Sequence, residues 1–190
     1  MDHITLRALT NWQNFYEIVG SSAGALTGLQ FVVITLITQA RAAGNIRDIH
    51  AFGTPTVVHF CTSLVISALM SAPWQTLAIL SGCLAAAGVA GLAYSFRVFW
   101  HARKATYTPD VEDWVWYLGI PLIAHLALLC AAALIWWNLR SSLAIVATDA
   151  IVFLLLGVHN AWDTVTFIAV RHVKSSTPGE TKDPIERTPM

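Results

Sequence analysis

The chain has 190 residues, of which 56% are hydrophobic and only 12% are charged. An ordinary soluble domain carries about 25% charged residues, so the composition excludes a water-soluble globular protein and, by its apolar content, a disordered chain. The 11 basic and 11 acidic residues balance and exclude a basic nucleic-acid surface, and three cysteines are too few for a disulfide scaffold.

Five apolar stretches follow one another along the chain, and each is long enough to cross a hydrocarbon core, which needs about 20 helical residues. None alternates polar and apolar residues as a barrel strand does. We therefore predict an all-α bundle of five transmembrane helices in the lipid bilayer. The predicted spans are residues 18–38, 54–72, 74–99, 114–137 and 142–170. Residues 1–170 would form this domain, and the polar residues 171–190 are predicted to be a disordered cytoplasmic tail.

The basic residues predict the orientation of the bundle. One side holds only Arg7 and Arg140. The other side holds Arg41, Arg47, Arg97, Arg103, Lys104, Arg171, Lys174, Lys182 and Arg187. Because cytoplasmic loops carry the excess of Lys and Arg, we expect the N-terminus outside and the C-terminus in the cytoplasm. The N-terminal run lacks the features of a cleavable signal peptide, so the first span is expected to be retained.

The first span carries a short signature, with WQNFY at residues 12–16 and LTGLQFV at residues 26–32. It resembles the N-terminal pattern W-x-x-F-[FY], then L-T-G-L-x-F-V, of small uncharacterised bacterial multi-spanning membrane proteins. The resemblance implies a multi-pass protein of the bacterial inner membrane with a helical bundle fold. It implies no activity and no catalytic residue.

Small residues recur every four positions in two spans and would lie along one face of each helix. The rows are Gly20, Gly24 and Gly28 in the first span, and Gly82, Ala86 and Ala90 in the third. Small residues let helices approach closely in lipid. We expect these two rows to pack on each other, or one of them to pack on a second copy or another subunit.

Residues 20–24 read GSSAG and match the G-x-S-x-G pattern of a serine nucleophile, although that pattern requires a strand-to-helix turn. Here it lies within a predicted helix. Ser22 is near the outer surface, whereas the candidate bases His125 and His159 lie deeper, and a nucleophile and its base must come within about 3 Å. Packing is the preferred interpretation, and no enzymatic activity is predicted.

Ionisable residues within the spans are costly in hydrocarbon and usually face the bundle interior or a water path. They are Glu17, His59, His125, Asp149, His159 and Asp163. Counting from the span midpoints predicts one layer for the three histidines, with Asp163 on its cytoplasmic side and Asp149 and Glu17 on its outer side. In the fifth span Asn160 shares a helix face with both aspartates, and His159 can contact Asp163 four residues later.

Three interpretations of these residues remain open. They could form a path for protons, a cation or a small polar solute, because histidine exchanges protons near neutral pH. His59, His125 and His159 could instead bind haem or a metal, although no H-E-x-x-H or C-x-x-C spacing is present and no cofactor is predicted. Each histidine could also simply bond a neighbouring helix. We favour a transport or channel-like protein, with a scaffold or modulator subunit of a larger membrane complex as the alternative and a redox protein third.

Overall fold

The computed structural model describes residues 3–40, 46–103 and 114–176. These residues form helices and short turns, and no strand occurs among them. The helices are α1 (His3–Ala40), α2 (Ile46–Ser71), α3 (Leu77–Ala102), α4 (Ile120–Leu134) and α5 (Leu139–Ser176), with a π-helical turn (Val115–Gly119) leading into α4. The predicted all-α architecture is confirmed for this part of the chain.

Each of the five helices contains a segment long and apolar enough to cross a membrane. These segments are Arg7–Thr35, Thr54–Ser71, Leu77–Trp100, Val115–Leu134 and Leu139–Thr166. They coincide in number and order with the five predicted spans. Length and composition therefore support a membrane protein built as a helical bundle.

The two terminal helices extend beyond their predicted spans. α1 begins at His3 because residues 3–17 contain no proline or glycine, and Leu9 and Trp12 pack against the bundle core. α5 continues to Ser176, the last described residue, and so extends into the segment predicted to be disordered. Residues 177–190 of the predicted tail lie outside the described residues.

The helices pack in the spatial order α1, α2, α5, α4, α3, and α1 also contacts α5. α5 is therefore the central element, with α2 on one side and α4 on the other. Its core residues Val146, Ala150, Phe153 and Leu156 are almost completely buried. Their spacing of three and four residues is the periodicity of one helix face.

The two rows of small residues do not meet. A Cβ at Gly20 would lie 2.9 Å from the Cβ of Ser67, so the first row faces α2 rather than α3. No atom lies within 4 Å of a Cβ built at Gly82, and Ala86 and Ala90 are exposed. The expectation that the two rows pack on each other is therefore wrong. A periodic row of small residues defines a helix face, but it does not identify the helix that packs on that face. Packing of the α3 row on a second copy stays a prediction.

Two other glycines make the close approach of α3 to α4. A Cβ at Gly88 would lie 2.8 Å from Cγ of Leu129, and one at Gly91 would overlap the imidazole of His125. Close packing through small residues therefore occurs in α3, but on the helix face opposite the one that the sequence pattern indicated.

Candidate functional site

A row of buried polar side chains runs along the face of α2 that packs against α5. It consists of Thr56, His59, Ser63 and Ser67, each at most 1% exposed. Of these, only His59 was singled out from the sequence. The spacing of three and four residues was a usable signal, because it places all four on one helix face.

α5 contributes two buried polar side chains opposite this row, Asp149 at 4% exposure and Asn160 at 0%. The two helices are joined directly where the Ser63 hydroxyl donates to the Ala150 carbonyl over 2.7 Å. We call the six residues Thr56, His59, Ser63, Ser67, Asp149 and Asn160 the polar seam. Three members of the seam, His59, Asp149 and Asn160, are also residues that the sequence pattern indicated.

Two of the three predicted histidines share one aromatic neighbour, Phe153 of α5. The ring centroids of His59 and Phe153 are 6.0 Å apart and nearly parallel, and those of His125 and Phe153 are 4.6 Å apart. Both imidazoles are 1% exposed. His59 and His125 therefore both contact Phe153, which the sequence did not distinguish from other apolar residues.

His125 also rests on the backbone of α3. Gly91 has no side chain, and the imidazole fills the space that a side chain would occupy. Any larger residue at this position would overlap the ring. On α5, Gly157 likewise makes room for the ring of Phe60, because a glycine has no Cβ. These two glycines position the aromatic rings of the site.

The third histidine belongs to a separate group. The His159 ring stacks on Trp116 with centroids 3.8 Å apart, and its Nε2 lies 3.2 Å from Oδ2 of Asp163. The two side chains are 26% and 42% exposed, unlike the buried pair. At about 1.5 Å per residue, His159 lies roughly 9 Å beyond Phe153 along α5. The predicted layer of three histidines is therefore a buried pair and a more exposed His159–Asp163 contact.

Glu17 lies at the other end of the bundle, in an open cleft of about 330 Å³ between α1 and α2. Tyr16 and Ser67 line the same cleft. The Tyr16 hydroxyl donates to the Leu143 carbonyl over 3.5 Å, and Tyr16 is within electrostatic range of Asp149. The cleft and the seam thus share Ser67 and meet at Tyr16.

Many polar atoms of this region have no hydrogen-bond partner within the described part of the protein. They include both ring nitrogens of His59 and His125, Ser67 Oγ, Asp149 Oδ2 and both amide atoms of Asn160. The backbone of Pro121, one turn before His125, interacts with that ring without a bond of standard geometry. A buried polar group left unpaired costs about 1–3 kcal/mol, so this concentration of them calls for water, an ion or a solute.

The haem or metal interpretation of the histidines stays a prediction. Among the described residues, no three His, Cys, Asp or Glu side chains come together in a way that could hold a metal ion. Cys61, Cys83 and Cys130 are free thiols in three different helices.

Comparisons of the chain with protein-family models, with curated proteins and with solved structures give no match. No relative therefore contributes a function or a residue role. The features of the protein that bear on its function are the polar seam, the histidine pair and the cleft.

Proposed function

We propose that this chain is a small membrane transport or channel-like protein, in which the polar seam between α2 and α5 carries protons, a cation or a small polar solute. The observation that supports the proposal is the run of buried, unpartnered polar atoms from Ser67 through His59 and His125 to Asn160. Polar groups inside a membrane bundle are costly and typically mark a substrate path.

Further polar side chains lie next to both ends of the seam. The cleft with Glu17 includes Ser67, and the His159–Asp163 contact flanks Asn160 on α5. An imidazole offers one donor and one acceptor nitrogen, so His59 and His125 can pass a proton between hydroxyls or waters on either side. Phe153 and the packed glycines close the middle of the seam, which corresponds to an occluded state.

The proposal includes an orientation and a location. We place the cleft end outside and the His159 end in the cytoplasm of a bacterial inner membrane. The support is the distribution of basic residues over the chain and the resemblance of residues 12–32 to small bacterial membrane proteins.

The test is proton flux into proteoliposomes under an imposed potassium-diffusion potential. We expect flux with the natural chain and its loss in the double variant His59→Ala/His125→Ala. Thr148→Ala is the matched control, because the exposed Thr148 hydroxyl bonds only its own helix, at the Ala144 carbonyl. A double variant that stays folded by size-exclusion chromatography and keeps full flux would refute the histidine path.

A scaffold or modulator subunit is the second candidate, and one surface favours it. α3 exposes its row of small residues beside Val89 and Phe96, which are 58% and 63% exposed. Such a face suits close packing against another transmembrane helix. This candidate predicts that Ala86→Leu releases a co-purifying membrane protein or breaks a homo-oligomer, while proton flux through the chain is absent.

A further inference from the structure

The cleft between α1 and α2 has the features of a small-molecule site. Its volume of about 330 Å³ is far larger than a bare ion needs and lies at the lower end of the range of ligand pockets, about 300–1,000 Å³. Polar atoms come from both helices. The polar lining side chains are Gln13, Tyr16, Glu17, Ser21, Ser67 and Ser71.

Ser67 is an independent indication of a ligand. It lines the cleft, is only 1% exposed, and its hydroxyl has no partner within the described part of the chain. Gly20 faces it so closely that a Cβ there would lie 2.9 Å from the Ser67 Cβ. Gly20 therefore packs directly on Ser67, and a ligand would reach the buried hydroxyl at the junction of α1 and α2.

The charge of the cleft selects the kind of ligand. Among the described residues, Glu17 is the only charged side chain that lines the cleft, and none of the lining side chains is basic. Leu64 and Ala68 form an apolar wall next to the polar lining residues. A cation with several N–H donors and a short apolar stem matches this distribution.

We propose that the cleft binds a primary alkylammonium group, with the ammonium between the Glu17 carboxylate and the Ser67 hydroxyl and the carbon stem against Leu64 and Ala68. An ammonium has three donors and no acceptor, which suits a lining rich in hydroxyl and carboxylate oxygens. The inference rests on the proposed function, since it names the substrate class that would enter the seam. The ammonium belongs either to a soluble amine or to the ethanolamine headgroup of a lipid.

Binding is measured by calorimetric titration of the purified full-length chain, in phosphatidylcholine nanodiscs, with butylammonium. We expect saturable binding that weakens roughly tenfold or more in Glu17→Gln, because a charge-assisted hydrogen bond is lost. Ser67→Ala should weaken it about fivefold, the value of one neutral hydrogen bond. Tetramethylammonium, which has no N–H donor, should bind more weakly than butylammonium.

One serine provides a matched control. Ser22 adjoins Ser21 but donates to the Ile18 carbonyl over 2.8 Å, and it does not line the cleft. Ser22→Ala should leave the affinity for butylammonium unchanged.

No saturable binding to the natural chain, or equal affinity in Glu17→Gln, would overturn the proposal. Repeating the titration in phosphatidylethanolamine nanodiscs identifies the source. A weaker apparent affinity there assigns the cleft to the lipid headgroup, and an unchanged one assigns it to a soluble amine. Equilibrium binding needs neither a gradient nor the histidines, so its outcome is separable from that of the proton-flux experiment.

Discussion

At the scale of single residues, two serines on one face of α2 have opposite environments. Ser63 donates to the Ala150 carbonyl of α5, whereas Ser67 has no partner in the described part of the protein. Ser63→Ala should therefore lower the free energy of unfolding by about 1 kcal/mol, and Ser67→Ala should leave it nearly unchanged. Chemical unfolding of both variants in the same detergent measures the difference. Equal destabilisation would contradict the assigned hydrogen bonds.

Phe153 is the residue on which the two buried imidazoles converge. Phe153→Ala should destabilise the bundle by about 3–5 kcal/mol, as expected for a large buried side chain. Because water can fill the space between His59 and His125, the folded fraction should conduct protons faster than the natural chain. Stopped-flow acidification of proteoliposomes measures the rate. Phe153→Leu, which fills most of the space, is the control, and a folded Phe153→Ala with slower flux would contradict the expectation.

Composition and depth could predict which polar residues deserve attention, and His59, His125 and Asp149 are indeed buried. The sequence could not predict the contact partners. Phe153 looks like any other apolar residue of the fifth span, and Gly91 shows its role only when the His125 ring is placed on it. His159 was grouped with the other histidines because counting residues gives depth but not the neighbouring side chain.

At the scale of helices, the contact between α3 and α4 requires a glycine at position 91 of α3. Gly91→Ala should overlap the His125 ring and cost about 1–3 kcal/mol, since overpacked cores must shift their side chains. It should also slow proton flux. Gly82→Ala on the same helix is the control, because it meets no atom within 4 Å and alanine favours helix. Similar thermal stability of the two variants in detergent would show that the α3–α4 contact is not the one described.

The number of helices could be predicted from apolar length alone, because a span must match the bilayer. Their ends and partners could not. α1 extends well before its predicted span, and Leu9 and Trp12 of this extension pack against the core, which is a tertiary effect that hydropathy does not report. The Gly20 row predicted a close contact correctly, but the partner is α2 rather than α3.

At the scale of the whole molecule, the proposed orientation can be tested with two exposed arginines, Arg140 in the first turn of α5 and Arg103 after α3. In a background without Cys61, Cys83 and Cys130, each arginine is replaced by cysteine. A membrane-impermeant maleimide should label Arg140→Cys in intact cells and Arg103→Cys only after permeabilisation. The reverse pattern would invert the orientation, and with it the side on which the Glu17 cleft opens.

The packing of the His125 ring against Gly91 affects the rate at which this ring can pass protons. An imidazole that hands a proton onward must turn or exchange its proton before accepting the next one. This ring can turn only when α3 withdraws from α4, because the backbone at Gly91 fills the space beside it. Exposed side chains reorient in picoseconds to nanoseconds, whereas helix movements take microseconds to milliseconds. The rate at which α3 and α4 separate would then limit the rate of proton transfer. A tighter contact between these helices would slow turnover without changing any polar group.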